Sequence, residues 1–383
     1  MIGVIADDLT GAAELGAVGW RYGLRAEVIV SGDPGSGADL VCIDTDSRSC
    51  SPEEAARRAA SAAEKLCRAG AKWIYKKVDS VLRGQVITEI EAIMKKLGVS
   101  RALLAPANPS LGRTIRDETY FIHGRPIHET EFAQDPEYPR KSSRVLEMLN
   151  APGSVPISVS RPEFTTTMAG IVVAEVDSPA DLRLWVRRKS SDTLPAGGAE
   201  FFGALLAAEG LTAKSRPASA LAVEREMFLC GTMSESSREF VRVARAKGTP
   251  VFSLPNEMAR GAEFPATEEK RIADEAVESF RSSLRVILNV GLPLVLDRAI
   301  AASLTGPLVR IALAVILSAK PDHIYVEGGA TAAALLRAMN SNRSKVIEEL
   351  AQGVATLAIG GDKTMKVTIK PGSYVWPKDV RAR

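Results

Sequence analysis

An apolar run, Ile2–Ala6, leads directly into Asp7-Asp8-Leu9-Thr10-Gly11-Ala12. Two adjacent carboxylates where a strand gives way to a helix are costly unless a cation or a proton donor meets them. Helix capping by Asp8 or Thr10 would explain one acid but not both. A second charged set, Lys76-Lys77-Val78-Asp79-Ser80-Val81-Leu82-Arg83-Gly84, follows a strand expected at Trp73–Lys76. Lysine supplies a point charge and arginine a planar fork, so this set suits a small anion with a carboxylate. A solvated helix start with ordinary charge pairs is the plainer alternative. A third set runs from Ala105 through Arg113 to Thr114, followed by Gly124–Thr130 and Asp135-Pro136. His128-Glu129 begins like a zinc-protease motif, but Phe132 stands where the second histidine belongs.

The second half has neither a Walker A loop nor a G-x-G-x-x-G turn; Gly360-Gly361-Asp362-Lys363-Thr364 lacks the upstream glycine. It does offer two glycine turns between strand and helix: Cys230-Gly231-Thr232-Met233-Ser234 and Glu327-Gly328-Gly329-Ala330-Thr331. Glycine lets backbone amides approach a ligand, and a helix N-terminus favours an anion. Two such turns on one sheet could cradle nucleotide phosphates, although many glycine turns only connect elements.

Alternating segments must position these groups. Strands are expected at Ile2–Ala6, Ala26–Val30, Leu40–Asp44, Trp73–Lys76, Ala102–Pro106, Val155–Val159 and Gly170–Val176. Helices are expected at Leu9–Trp20, Pro52–Ala69 (Ser51 at the N-cap, Pro52 at N1), Ile87–Leu97 and from about Ala180. Residues 107–145 show no clear period. A second series has strands at Met227–Cys230, Pro250–Leu254, Arg285–Asn289 and His323–Val326. Its helices are expected at Ser236–Ala246, Glu268–Arg281, Ile300–Ala319 and Thr331–Met339. The alternation predicts an α/β protein of two domains, each a mainly parallel sheet flanked by helices, with an interdomain cleft. The polar tract 211–226 marks the boundary, giving domains 1–215 and 227–383.

Composition narrows the classes. With 383 residues, 46% hydrophobic and 25% charged, the chain is ordinary globular material. Its 49 basic and 46 acidic residues leave a net charge of +3, with no basic tract and 5% aromatics, so nucleic acid is not an expected partner. Four cysteines and three histidines form no zinc pattern, and reduced thiols in a cytoplasmic protein are expected. No signal peptide is read. The longest apolar stretch, Ile311–Ala319, is about nine residues, short of the ~20 needed to span a bilayer. A homodimer is the common default.

At these motifs the chain resembles the four-carbon acid sugar kinases. Ile5–Ala12 looks like that family's opening motif, Lys76–Gly84 like its K-K-x-D-S-x-L-R-G motif, and Pro106–Thr114 with His128-Glu129-Thr130 and Asp135-Pro136 like its third block. The resemblance implies an N-terminal acid-sugar-binding domain and a C-terminal nucleotide-binding domain. It also implies ATP-dependent phosphorylation of the terminal hydroxyl of threonate, erythronate or 3-oxotetronate. Carried over, Gly231, Thr232, Ser234, Gly328, Gly329, Ala330, Thr331 and Gly372 would contact ATP. The chain departs from the family at Ala330, often acidic there, at Gly231–Ser234 (usually G-S-x-S) and at Lys370–Val375 (usually K-S-G-x-F-G).

Phosphoryl transfer needs positioning, charge neutralisation and a group that orients the attacking hydroxyl. Arg83, with Lys76 or Lys77, is expected to hold the substrate carboxylate, and Arg113 to join the substrate site. Asp7, Asp8 or Asp79 would accept the hydroxyl proton, with hydrogen bonding to sugar hydroxyls the alternative role for Asp79, and Mg²⁺ would bridge the ATP phosphates. Two rival readings are an ATP-independent aldolase or hydrolase on the same scaffold, and a non-catalytic acid-sugar-binding protein.

Overall fold

The computed structural model describes residues 1–383 except 136–137, 151–153, 164–168, 215–224, 294, 296, 361–364, 373 and 383. Most of the Gly360–Thr364 tract and of the polar boundary segment therefore lies outside the described residues, as do Pro136 and Ser373. The chain divides into two compact units, Met1–Arg216 and Pro217–Arg383.

The first unit comprises β1 (Ile2–Ala6), α1 (Leu9–Arg21), β2 (Ala26–Ile29), β3 (Leu40–Asp44), α2 (Pro52–Arg68), β4 (Ile74–Lys77), α3 (Val86–Leu97) and β5 (Arg101–Ala105). It continues with β6 (Arg113–Arg116), β7 (Thr119–Ile122), β8 (Arg125–Pro126), α4 (Val145–Leu149), β9 (Ile157–Ser160), β10 (Gly170–Ala174), α5 (Pro179–Arg188), β11 (Thr193–Gly197) and α6 (Ala199–Ala208). Its main sheet has the order β2-β3-β1-β4-β11-β5-β10-β9, and every pairing in it is parallel. β1 and β3 are buried at all five positions, as strands covered by helices on both faces must be. Ser51 caps α2 by accepting the Glu54 amide at 3.3 Å, with Pro52 in the first turn. The helix seats Ala55, Ala59, Ala62, Ala63 and Leu66 on the sheet.

The second unit comprises β12 (Glu226–Cys230), α7 (Glu235–Ala246), β13 (Val251–Ser253), α8 (Ala266–Ser282), β14 (Arg285–Asn289), α9 (Arg298–Ser303), α10 (Thr305–Ala319) and β15 (His323–Glu327). It ends with α11 (Gly329–Ala338), β16 (Arg343–Ala351), β17 (Val354–Ile359), β18 (Met365–Lys370) and α12 (Lys378–Ala382). The order is β13-β14-β12-β15-β18-β17-β16. β13 through β18 pair in parallel, while β17 runs antiparallel to both β18 and β16. Its core centres on Phe228 stacked on Tyr325 at 4.5 Å, with Trp376 edge-on to both. The architecture is thus α/β in two domains, each a mainly parallel sheet flanked by helices.

Several local expectations need correction. Residues 107–145 are not irregular: they carry the antiparallel sheet β6-β7-β8. Its strands are only two to four residues long, too short to establish a period. The β11–α6 pair and the β16–β18 meander were not anticipated. The segment expected as one helix, Ile300–Ala319, is two, broken at Leu304. Pro307, with no amide hydrogen, cannot bond back to the Ser303 carbonyl. The estimate of apolar length is also too small, because Ala299–Ala319 is long and apolar enough to cross a membrane by length and composition. Here Leu308, Ile311, Ala312, Val315 and Ile316 are buried, and Arg310 pairs with Glu269 on α8 at 2.8 Å.

Candidate active site

Three strands of the first unit end side by side. Ala6 on β1 pairs with Asp44 on β3 and with Lys77 on β4. The segments that follow therefore leave the sheet at one edge, and Asp7–Asp8, Thr45–Arg48 and Val78–Arg83 meet there. Arg48 is the hub: its Nε and Nη2 grip Asp7 at 2.7 and 3.0 Å, and its Nη1 reaches Asp8 at 2.7 Å. The same Nη1 lies 3.9 Å from Asp79. Arg83 forks onto Asp79 at 2.9 and 2.8 Å and donates to Asp135 at 3.1 Å. Asp79 also accepts the backbone amides of Val81 and Arg83.

The local chain is shaped to permit this. Asp8 caps α1, accepting the Gly11 amide at 2.8 Å and the Thr10 hydroxyl at 2.5 Å. Capping accounts for Asp8 in part, and Arg48 meets both acids. Gly84 has φ of +84°, and a Cβ there would stand 3.2 Å from Arg48 Cγ and 3.3 Å from Asp7 Oδ2. Only glycine takes this backbone with the loop passing so close to the pair.

Electrostatics follow the geometry. Burial disfavours charge on Asp7, but Arg48 and Lys76 outweigh it and hold that carboxyl below its usual range. Burial likewise opposes ionised Asp79, yet Arg83 and Arg48 hold it well below the usual range. Burial would lower Arg48; Asp7, Asp8 and Asp79 instead raise it well above the ordinary value. Asp7, Asp79 and Arg48 therefore stay ionised at neutral pH.

The two lysines of β4 point to opposite faces, as neighbours on a strand must. Lys77 stands 3.1 Å from Glu14, and against the lowering effect of burial its affinity for a proton is raised by Glu14, Asp8, Asp7 and Asp79. Lys76 is fully enclosed, 2.8 Å from Glu89, which also accepts from the Ser47 hydroxyl. Burial raises Glu89. Arg113 donates to the Ser80 hydroxyl and lies 5.9 Å from the Phe132 ring, so it braces the Asp79 loop rather than an acid. His128 hydrogen-bonds Ser143 at 2.6 Å, apart from the cluster.

The second unit repeats the arrangement with different chemistry. Asn289, Cys230, Glu327 and Lys370 lie in register at the ends of β14, β12, β15 and β18. The turns that follow β12, β15 and β18 are thereby brought together. At Gly231 any Cβ would collide with Thr331, and at Gly372 it would stand 3.0 Å from Thr232 Oγ1. Ser234 caps α7 and donates its hydroxyl to the Gly372 carbonyl at 2.8 Å. Gly328 takes φ of +97°, and Gly329, Ala330 and Thr331 form the first turn of α11. Behind the turns, Lys370 donates to the carbonyls of Pro371 and Tyr374 at 3.1 and 2.5 Å, with its Nζ 5.3 Å from the Trp376 ring. It lies 3.6 Å from Glu327, which accepts from the Ser237 hydroxyl. Burial lowers Lys370, against the pull of Glu327.

Arg48 and Lys370 are the residues that sequence reasoning missed. Arg48 stands four positions beyond the end of β3, so the strand-end rule that picked out Asp7 and Asp79 could have found it. Lys370 needed β18, which was not anticipated.

A family model for a sugar-binding N-terminal domain matches residues 2–203, and one for a nucleotide-binding C-terminal domain matches residues 227–374. The chain is 30% identical over 266 residues to a D-threonate kinase of Salmonella typhimurium, covering 64% of this chain and 61% of that protein. It is 36% identical over 154 residues to a D-erythronate kinase of Heliobacterium modesticaldum, covering 39% and 35%. These alignments thus span between about a third and three-fifths of those relatives. A 3-oxo-tetronate kinase of Methylobacterium radiotolerans is 25% identical over 97% of this chain and 96% of its own. The fold also matches a solved Salmonella typhimurium structure described as a putative tRNA synthase, with TM-score 0.81 and 19% identity over 100% of this chain and 98% of that one. At that identity the likeness concerns the fold alone.

Proposed function

The chain belongs to the four-carbon acid sugar kinase family, and on that premise we propose that it is an ATP-dependent kinase acting on the terminal hydroxyl of a four-carbon sugar acid such as threonate, erythronate or 3-oxotetronate. The observation that carries the reading is the convergence of Asp7, Asp8, Arg48, Lys77, Asp79 and Arg83 at one strand edge. Residues 1–215 would bind the sugar acid and residues 227–383 the nucleotide.

Arg83 and Lys77 hold the substrate carboxylate, with Arg48 beside them. Lys76 is enclosed against Glu89 and acts on the site only through its charge. Asp8 is the proton acceptor. Asp7 and Asp79 are each gripped by two nitrogens of an arginine and held below the usual carboxylate range, which makes them weak bases. Asp8 meets Arg48 through a single nitrogen, and its side chain is 17% exposed against 3% for Asp7 and 8% for Asp79. On the nucleotide side, the close-set turns at Gly231, Gly328 and Gly372, with Thr232, Ser234 and Thr331, suit a polyphosphate. Magnesium enters as part of the MgATP substrate and neutralises phosphate charge.

The test is ADP release with MgATP across a panel of three- to five-carbon sugar acids. ADP formed only when one of these acids is present supports the reading. Turnover of a sugar acid without ATP, or no ADP with any member, refutes it.

A further inference from the structure

A pocket of about 400 Å³ opens beside the Gly231 turn, between α7 and the ends of β13 and β14. That volume is within the range of small-ligand sites, which pair apolar walls with a few placed polar groups. Val241, Ala246 and Leu292 give it apolar surface, and Thr232, one of the phosphate-turn residues, forms part of its wall. Asn289 lines it as well. This residue is 3% exposed, and its Oδ1 has no hydrogen-bond partner among the described residues. A buried acceptor left unpaired costs about 1–3 kcal/mol, so its presence calls for a donor that arrives from outside the chain.

The backbone keeps that acceptor open. Gly291 has φ of +67°, and a Cβ there would lie 2.6 Å from Asn289 Oδ1 and 2.5 Å from Ser253 Cβ. Any other residue at 291 would therefore press on the amide and on the pocket wall. Arg238, in the first turns of α7, also lines the pocket and makes no ion pair among the described residues.

We propose that this pocket takes the nucleoside part of the nucleoside triphosphate, with Asn289 receiving a hydrogen bond from an amino or hydroxyl group of that nucleoside. The inference rests on the kinase reading and deepens it: the glycine turns take the phosphates, and the space beside Thr232 takes what the phosphates are attached to. Asn289→Leu keeps the volume and removes the unpaired acceptor. Ala246→Trp fills the pocket from an exposed position at the end of α7, where a large side chain causes no clash in the core.

Binding of ADP and of inorganic tripolyphosphate by the intact protein is measured by calorimetry, with melting temperatures alongside. Asn289→Leu should weaken ADP about tenfold, the usual cost of one hydrogen bond to a buried group, and Ala246→Trp should weaken it by at least as much by filling the space. Both should leave tripolyphosphate unchanged, and Asn289→Leu should melt no lower than the parent. If the parent protein binds ADP and the variants bind it equally well, the pocket assignment is wrong while the kinase reading stands. Equal weakening of ADP and tripolyphosphate also overturns the assignment, because the pocket would then be acting through the phosphate turns. Failure of the parent to bind ADP at all overturns the kinase reading and this inference with it.

Discussion

Each of the two units gathers its candidate groups at the carboxyl ends of parallel strands, and the two build them from opposite materials. In the first unit charge meets charge: Arg48, Arg83 and Lys77 face Asp7, Asp8, Asp79, Asp135 and Glu14 at 2.7 to 3.9 Å. In the second unit backbone and hydroxyls predominate, and the glycines are placed so that turns can touch. A self-satisfied charged cluster is rigid, and an incoming anion must exchange with an internal partner. A backbone cradle offers amides without exchange but depends on close approach. The first unit should thus respond to loss of charge, the second to loss of shape.

Asp8→Asn should have the largest effect. Removing a general base typically costs about 10²–10⁴-fold, so kcat should fall by that order while KM for the sugar acid stays within a few-fold. Arg83→Ala should do the reverse, raising KM more than it lowers kcat. Steady-state kinetics on both variants decide the split; a matched loss in both parameters for both variants would dissolve the division of roles.

Arg48→Ala should rank next, through stability. Removing one partner of a buried ion pair costs about 3–5 kcal/mol, and here Asp7 loses the guanidinium hydrogen-bonded to both of its oxygens. Denaturant unfolding reads this directly. The pH dependence has a definite sign. Asp7 and Asp79 have depressed values in the folded state, so their stabilisation is present above the unfolded value of about 4 and is lost as pH falls below it. The parent should lose stability steeply below about pH 4, and Arg48→Ala less steeply, since its carboxyls have less depression to lose.

Lys370→Met tests the second unit. The lysine ties the Gly372 turn through two carbonyls, and methionine keeps the contact with Trp376. Nucleotide affinity should fall about tenfold, the value of a charged hydrogen bond, with sugar-acid binding unchanged. Calorimetry with each ligand separates the two. The smallest change should come from Asp135→Asn. Asp135 holds Arg83 by one contact at 3.1 Å and is the partner most readily exchanged for a substrate carboxylate. KM for the sugar acid should drop by two- to threefold or stay level, a change of about 0.4–0.7 kcal/mol at most; a marked rise would show that Asp135 itself contacts substrate.

The sequence was most legible where apolar runs were long and capped. β1, α1, β3 and α2 fall within a residue or two of their expected ends because Asp8, Ser51 and Pro52 mark helix starts. It was least legible where pairing is non-local. The turn after β18 brings Gly372 to Thr232 because β18 lies parallel to β15, and nothing in Met365–Lys370 names that neighbour. Arg48 sits in a short loop with no periodic pattern, and its role exists only because Ala6 and Asp44 are in register. Lys76 and Lys77 could not be told apart in the sequence because their difference lies in what surrounds them: Lys76 is enclosed against Glu89, while Lys77 lies against Glu14.

The most direct test is transfer of label from [γ-³²P]ATP to a four-carbon sugar acid by the parent protein and by Asp8→Asn. Label should appear on the sugar acid's terminal oxygen with the parent, and at most about a hundredth as fast with the variant. Label released only as inorganic phosphate, or carried to the sugar acid equally fast by both proteins, would contradict the account.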